Sequence, residues 1–514
     1  MRSENSVKNS LYAIVGQAVS LTFGFVTRIA FVRILGEAYL GVNGVLYSVL
    51  SLLSLTELGM GAAFTFALYA PIERGDQQKI GQIMNLYALA YRLVALAVTV
   101  LGLLLIPFLP IITADVPEVG SLTLIYLLFL ANSASSYLFS YKRALITASQ
   151  QDYRNSLNLS LFSILQNGAQ LVLLVLTGSY LLYLAAQLVC TLASNLCIAH
   201  TAGRMFPYLR AVKGMPDRAE RGVIARNVRD MFMTRFGSVA VTGTDNLLIA
   251  SVDVILVGLY SNYLLLLQTI QTILTKVIEA VTASVGSLMA DETKASDRTS
   301  VYGDILFAVA WMYGFSAIAL DTLMGRFITI AFGEGLEIPA AAVHLMCLNF
   351  LIAGLRQPNT MFISAAGVFR PVRWRGFVEA AVNLVASAIF LLLDMGLVGV
   401  LLGTTVSHLA VGAGWELACV SKHCLPDKTG GSIARDYLAG CLKYGIVLAA
   451  AWLANGMICA LLPGNIAGFF LAVCVTAILP NLVMLGVFCR TREFGYFAAL
   501  LRRILAKFVR RSCK

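Results

Sequence analysis

The stretch RIAFVRILGEAYLGVNGVL, residues 28–46, carries Arg28 and Arg33 in an otherwise apolar run. Further basic residues sit inside apolar runs at Arg92, Lys276 and Arg356, and acidic ones at Glu57, Asp245 and Glu279. A cation held away from bulk water is a receptor for anions, and a guanidinium matches a pyrophosphate through parallel N–H donors. Arg28, Lys276, Arg92 and Arg356 are therefore the candidates for a cationic, substrate-binding cavity. The same charges could instead neutralise one another. Lys276 and Glu279 are spaced i, i+3 on one helix face. Arg28 could meet Glu57 on the next span, or Asp245. Glu57, Asp245 and Glu279 are accordingly read either as charge partners or as sites for H⁺ or Na⁺ coupling.

Nothing in the sequence points to bond-making chemistry. There is no P-loop, no GxGxxG after a strand and no HExxH. The ten cysteines include no CxxC pair, and CVSKHC at 419–424, with His408 nearby, does not have the spacing of a zinc site. His408 reads as a hydrogen-bonded interior histidine. No catalytic residue, metal or cofactor is expected, and the chain is not read as an enzyme.

These residues must be carried by membrane-spanning helices. Of the 514 residues 59% are hydrophobic and only 13% charged, with a mean hydropathy of +0.80. Soluble domains carry about 25% charged residues. Apolar runs of roughly 20 residues, each able to cross a hydrocarbon core as a helix, recur along the whole length. About fourteen spans are expected: 11–34, 41–69, 83–110, 120–140, 156–177, 181–203, 236–257, 263–290, 303–331, 339–364, 374–393, 397–420, 437–461 and 466–489. The polar start MRSENSVKNS lacks a cleavable signal pattern, so the first run is read as a retained span.

The basic residues test this division. Of the 38 Lys and Arg, 31 fall in the terminal segments and alternate loops that share one side of the membrane. The opposite loops, among them GEAYLG, TADVPEVG, GLYSN, FGEGLEIP and LPGN, contain none. By the positive-inside rule both termini are cytoplasmic. The outer loops are short and leave little room for an enzyme's catalytic groups. Arg33, Arg326 and Lys443 lie near span ends, where they can snorkel.

The long basic segment 204–235 separates two sets of six spans, an even number that allows a parallel repeat. An offset of 217 overlays YLGVNGVLY on LVGLYSNYL and places Asp245 over Arg28. The expected organisation is a six-helix lobe over 1–203, the linker 204–235, a second six-helix lobe over 236–420, and two additional helices over 437–489. The tail 490–514 is basic and amphipathic, with Phe494, Phe497, Leu501, Ile504, Leu505 and Phe508 on one face, as suits an anionic inner leaflet. It carries no nucleic-acid-binding module. Glycine-rich stretches such as LGMGAA and NGAQ suit helix packing. Asn85, Asn132, Asn158, Asn167 and Asn349 suit either sugar hydroxyls or interhelical hydrogen bonds.

The stretch from Arg28 to Arg92, RIAFVRILGEAYLGVNGVLYSVLSLLSLTELGMGAAFTFALYAPIERGDQQKIGQIMNLYALAYR, resembles the N-terminal signature of Wzx-type polysaccharide flippases. These belong to the multidrug/oligosaccharidyl-lipid/polysaccharide (MOP) exporter superfamily. RNVRDMFMTRFGSVAVTGTDNLLIASVDVILVGLYSNYLLL similarly resembles the start of that family's second half. The resemblance covers roughly the first 290 residues, and the last third by span pattern. It implies a MATE-like all-α fold of two six-helix lobes plus two helices, in a bacterial cytoplasmic membrane. It implies a flippase moving an undecaprenyl-pyrophosphate-linked oligosaccharide outward for O-antigen or capsule, beside polymerase or assembly partners. The family's cationic cavities suit Arg28 and Lys276. A lipid II flippase and a drug/cation antiporter of the same superfamily are the rival readings, with a polymerase or ligase as the rival of another class.

Overall fold

The computed structural model describes residues 2–53, 60–109, 121–149, 151–290, 295–368, 370–425 and 430–495. Within them, the side chains of Lys276 and Glu279 are outside the description; Glu57 and most of the basic tail, 496–514, lie outside it altogether. The described residues are almost wholly helical. In chain order the helices are α1 (Arg2–Leu35), α2 (Glu37–Leu53), α3 (Met60–Arg74), α4 (Gln77–Leu105), α5 (Leu122–Tyr137), α6 (Lys142–Ala148), α7 (Tyr153–Thr177), α8 (Tyr180–Met205) and α9 (Arg218–Ala250). They continue as α10 (Val254–Ala290), α11 (Ala295–Phe332), α12 (Ala340–Leu355), α13 (Gln357–Ala365), α14 (Arg375–Leu392), α15 (Gly396–Ser407), α16 (Gly414–His423), α17 (Gly430–Ala460) and α18 (Ile466–Phe488).

Among the described residues ten helical stretches are long and apolar enough to span a membrane, or eleven with the pair α5–α6, bent by 42°. α1, α2 with α3, and α9 occupy the remaining three expected positions. The chain is a multi-pass helical membrane protein. One expected turn is displaced. GLYSN at 258–262 is helical, and the chain reverses at Ser251–Asp253 instead. There Asp253 Oδ1 accepts the Ile255 N–H at 2.7 Å, starting α10 as an N-cap does. Gly258 then serves packing: a Cβ on it would fall 2.6 Å from the Gly41 nitrogen. The basic segment 204–235 is also less of a loop than expected, since Asp217 caps α9 through the Glu220 N–H at 2.8 Å and the helix runs on from Arg218.

Contacts divide the chain into two compact units, Met1–Leu259 and Tyr260–Lys514. In the first, α1 packs along α7, where Thr27 Oγ1 donates to the Asn167 carbonyl at 3.2 Å. Asn246 of α9 donates to Ser48 of α2 at 2.8 Å. In the second, α11 is the core helix, with most of its apolar length buried. Phe307 packs edge-on against Tyr444 and Phe488, and Trp311 Nε1 donates to Asn481 Oδ1 at 2.8 Å. The last two helices thus complete the core around α11.

Candidate functional site

Arg28 lies on α1 seven residues before its end at Leu35, about 10 Å along the axis. It is half-buried. Its guanidinium carbon is 5.9 Å from the Phe31 ring centroid, a cation–π distance. Phe31 is itself packed on Tyr180 and Tyr183, in the first turn of α8, with centroids 5.5 and 5.2 Å away. Ser179 caps that turn through the Leu182 N–H, which fixes where both phenols emerge. Tyr180 also stacks edge-on with Tyr39 at 5.2 Å and accepts from Asn43 Nδ2 at 3.1 Å. A cation is therefore placed beside a wall of rings and phenolic hydroxyls.

Arg356 has a different setting. It sits at the break between α12 and α13, 7% exposed. Its Nε donates to Glu416 Oε2 at 3.0 Å, Nη1 to Glu379 Oε1 at 2.6 Å, and Nη2 to Glu416 Oε1 at 3.0 Å and Glu379 Oε2 at 3.2 Å. His408 Nδ1 lies 3.0 Å from Nη1 and 2.8 Å from Glu379 Oε1. Arg375, on the first residue of α14, pairs with Glu416 as well. The two arginines and two glutamates balance, and four of the five N–H groups of Arg356 donate to the two carboxylates. The backbone is adapted to the cluster. Residues 408–413 form a π-helical turn, and Gly412 lies so close that a Cβ would fall 2.2 Å from the Arg356 Cζ. A π-turn inside an α-helix is an uncommon feature that clusters at special sites.

The remaining candidates are scattered. Arg92 is exposed on α4. Asp245 is buried on α9, in the same compact unit as Arg28. Lys276 and Glu279 are carried by α10, and Glu57 lies outside the described residues. Arg326 caps the end of α17, donating to the Cys459 carbonyl at 2.5 Å, and Lys443 lies over the Phe488 ring at 5.1 Å. Of the asparagines, Asn85 ties α4 to the basic linker through the Val212 and Gly214 carbonyls, and Asn349 bonds Leu401 and Thr405. Cys419 and Cys424 are buried while His423 is exposed, so the three do not converge; burial pushes the Cys424 thiol up to about 12.

Sequence reasoning missed Glu379 and Glu416. Their signal was present: each is a carboxylate inside an apolar stretch, which is costly unless paired. It also missed Arg143 as an interior group. Arg143 lies just after the bend between α5 and α6, and its Nη2 donates to Asn158 Oδ1 at 2.9 Å and Ser194 Oγ at 3.0 Å. Its loop position concealed that role.

No family model matches the sequence, and no curated protein sequence matches it. Solved structures do match. A lipid II flippase MurJ in an inward closed conformation superposes with a TM-score of 0.66 at 15% identity, covering 94% of this chain and 99% of that one. The fold is that of MOP-superfamily transporters. A multidrug resistance MATE family transporter in an inward-facing conformation gives a TM-score of 0.59 at 13% identity, covering 85% of this chain and 99% of that one. A MOP superfamily transporter from Pyrococcus furiosus, described as having a binding pocket of reverse polarity, gives 0.53 at 14% identity over 83% of this chain and 97% of that one. At these identities the likeness is one of fold.

Proposed function

We propose that this protein is a flippase that moves an undecaprenyl-pyrophosphate-linked oligosaccharide from the inner to the outer leaflet by alternating access, supplying surface polysaccharide such as O-antigen or capsule. The observation that carries this reading is the Arg28 guanidinium, held in an apolar helix against Phe31 and beside Tyr180 and Tyr183, in a chain with the fold of membrane transporters. Arg28 meets the pyrophosphate or an acidic sugar, the aromatic wall excludes water from the contact, and Lys276 and Arg92 add positive charge. Arg356 holds its own unit together through Glu379 and Glu416. Glu57, Asp245 and Glu279 balance the basic residues or exchange H⁺ or Na⁺ during the cycle.

The test is the leaflet location of the lipid-linked glycan in cells lacking the protein, with add-back of wild type and of Arg28→Ala. Accumulation on the inner leaflet that wild type relieves and Arg28→Ala does not is the expected result. Relief by both would remove Arg28 from the substrate site. Glycan-lipid that reaches the outer leaflet without the protein, yet stays unpolymerised, would favour a role after flipping. The second reading is a lipid II flippase, favoured by the likeness to MurJ over 94% of the chain. Inner-leaflet build-up of lipid II in the same cells would select it.

A further inference from the structure

In the second unit, α11, α12 and α17 frame a cleft of about 380 Å³, within the size range of small-ligand sites. It lies toward the end of that unit that carries the acidic turn 333–339, which the charge distribution along the sequence assigns to the outer side. Asp321, 8% exposed at its side chain, is its polar floor. Its Oδ1 is 2.6 Å from His344 Nδ1, and its Oδ2 accepts from Trp452 Nε1 at 2.5 Å. The imidazole and indole rings meet edge to face at 5.5 Å, so both hold the carboxylate in one orientation. A carboxylate has about four lone-pair sites, and the contacts to His344 and Trp452 take two of them.

Arg326, which also lines the cleft, supplies the opposite charge. It lies five residues further along α11, about 7.5 Å nearer the helix end. Its Nη2 donates to the Cys459 and Leu462 carbonyls and its Nη1 to the Pro463 carbonyl. Among the described residues its Nε–H and one N–H of Nη1 have no partner. The mouth is apolar: Leu453 and Met457 line it and are 56% and 72% exposed, one helical turn apart. Gly456 leaves the space open, since a Cβ there meets nothing within 4 Å. The cleft therefore offers a fixed anion beside an aromatic ring, a cation near the membrane boundary, and an apolar wall facing the hydrocarbon.

We propose that this cleft seats an outer-leaflet aminophospholipid of the phosphatidylethanolamine type, its primary ammonium on Asp321 and Trp452, its phosphate on Arg326 and its acyl chains along Leu453 and Met457. The three N–H donors of a primary ammonium can reach the remaining lone pairs of Asp321, and the Trp452 ring favours a cation. Choline has the charge without the donors, and glycerol has hydroxyl donors without the charge.

Native mass spectrometry of the whole protein, released from bilayers of matched acyl composition, measures the retained lipid. Phosphatidylethanolamine is expected to be retained roughly tenfold more than phosphatidylcholine or phosphatidylglycerol, the scale of one charge-assisted hydrogen bond. Asp321→Asn and Gly456→Leu are each expected to abolish that preference. The first removes the charge; the second fills the cleft without touching a polar group and decides the matter if the first does not fold. Equal retention of the three lipids, preference for phosphatidylglycerol, or a preference that survives Gly456→Leu would overturn the proposal. No transport is measured, so failure here leaves the flippase reading where it stands.

Discussion

Burial decides what each intramembrane charge can do. Arg356 is enclosed by two carboxylates, so removing it strands Glu379 and Glu416 with Arg375 and His408 alone for compensation. Breaking a buried ion pair from one side costs about 3–5 kcal/mol. Arg356→Met is therefore expected to lower the unfolding temperature in detergent strongly, and adding Glu416→Gln to recover part of the loss. A single variant no less stable than wild type would show that the cluster does not support the fold. Arg28 faces aromatic rings instead, and its replacement should act on transport before stability. Arg28→Lys keeps the charge but loses the planar fork, so partial restoration of glycan export is expected, with a thermal midpoint close to wild type. The Arg356 cluster was half legible in the sequence. The intramembrane arginine could be seen, but the glutamates that meet it lie 23 and 60 residues away on other helices.

Helices here are shaped by where their backbones come close. Gly41 of α2 and Gly258 of α10 face each other so tightly that a Cβ on Gly41 would fall 2.6 Å from the Val254 carbonyl oxygen. Small residues that let backbones approach are the usual device in membranes. Gly258→Leu is expected to destabilise the first unit by about 1–3 kcal/mol, the range for overpacking, read as a lower thermal midpoint. The π-turn at 408–413 makes a comparable approach to Arg356, and Gly412→Ala should act in the same direction by displacing the guanidinium. The turn between α11 and α12 shows how a loop is held. Thr329 Oγ1 donates to Glu337 Oε1 at 2.6 Å and the Gly335 N–H to Oε2 at 3.0 Å. The Thr329 hydroxyl bond, with the backbone donors, holds this carboxyl below its ordinary value of 4.5. A depressed folded-state value means that the contribution is present above pH 4.5 and lost as pH falls through the lower, folded value. Glu337→Gln should remove that part of the acid sensitivity, measured as thermal midpoint against pH from neutral downward.

For the whole chain, the two compact units have different interiors. The first is rich in aromatic and amide contacts around α1, α7 and α8; the second is built on α11 with a buried ion cluster to one side. Because α17 and α18 cover Phe307 and Trp311, truncation after residue 430 is expected to expose those rings and prevent stable expression of the second unit. Recovery of a folded truncated protein by size-exclusion chromatography would contradict that. The positive-inside asymmetry makes a further prediction at this scale. A cysteine placed at 214 should react with membrane-impermeant reagents from the cytoplasmic side, and one at 334 from the outer side.

The sequence by itself determined the class, the helical segmentation and the alternation of basic and acidic turns. These depend on hydropathy and charge summed along short stretches, and a bilayer reads them locally. It misplaced the reversal before α10, because GLYSN looks like a turn until Gly258 is seen to serve close packing. Only the tertiary structure decided that Arg356 is neutralised by Glu379 and Glu416, that Arg28 lies among tyrosines of α8, and that Asp321, His344 and Trp452 share one cleft. Each of these joins residues from separate helices. Which faces meet is set by packing of the whole unit, and no local pattern encodes it.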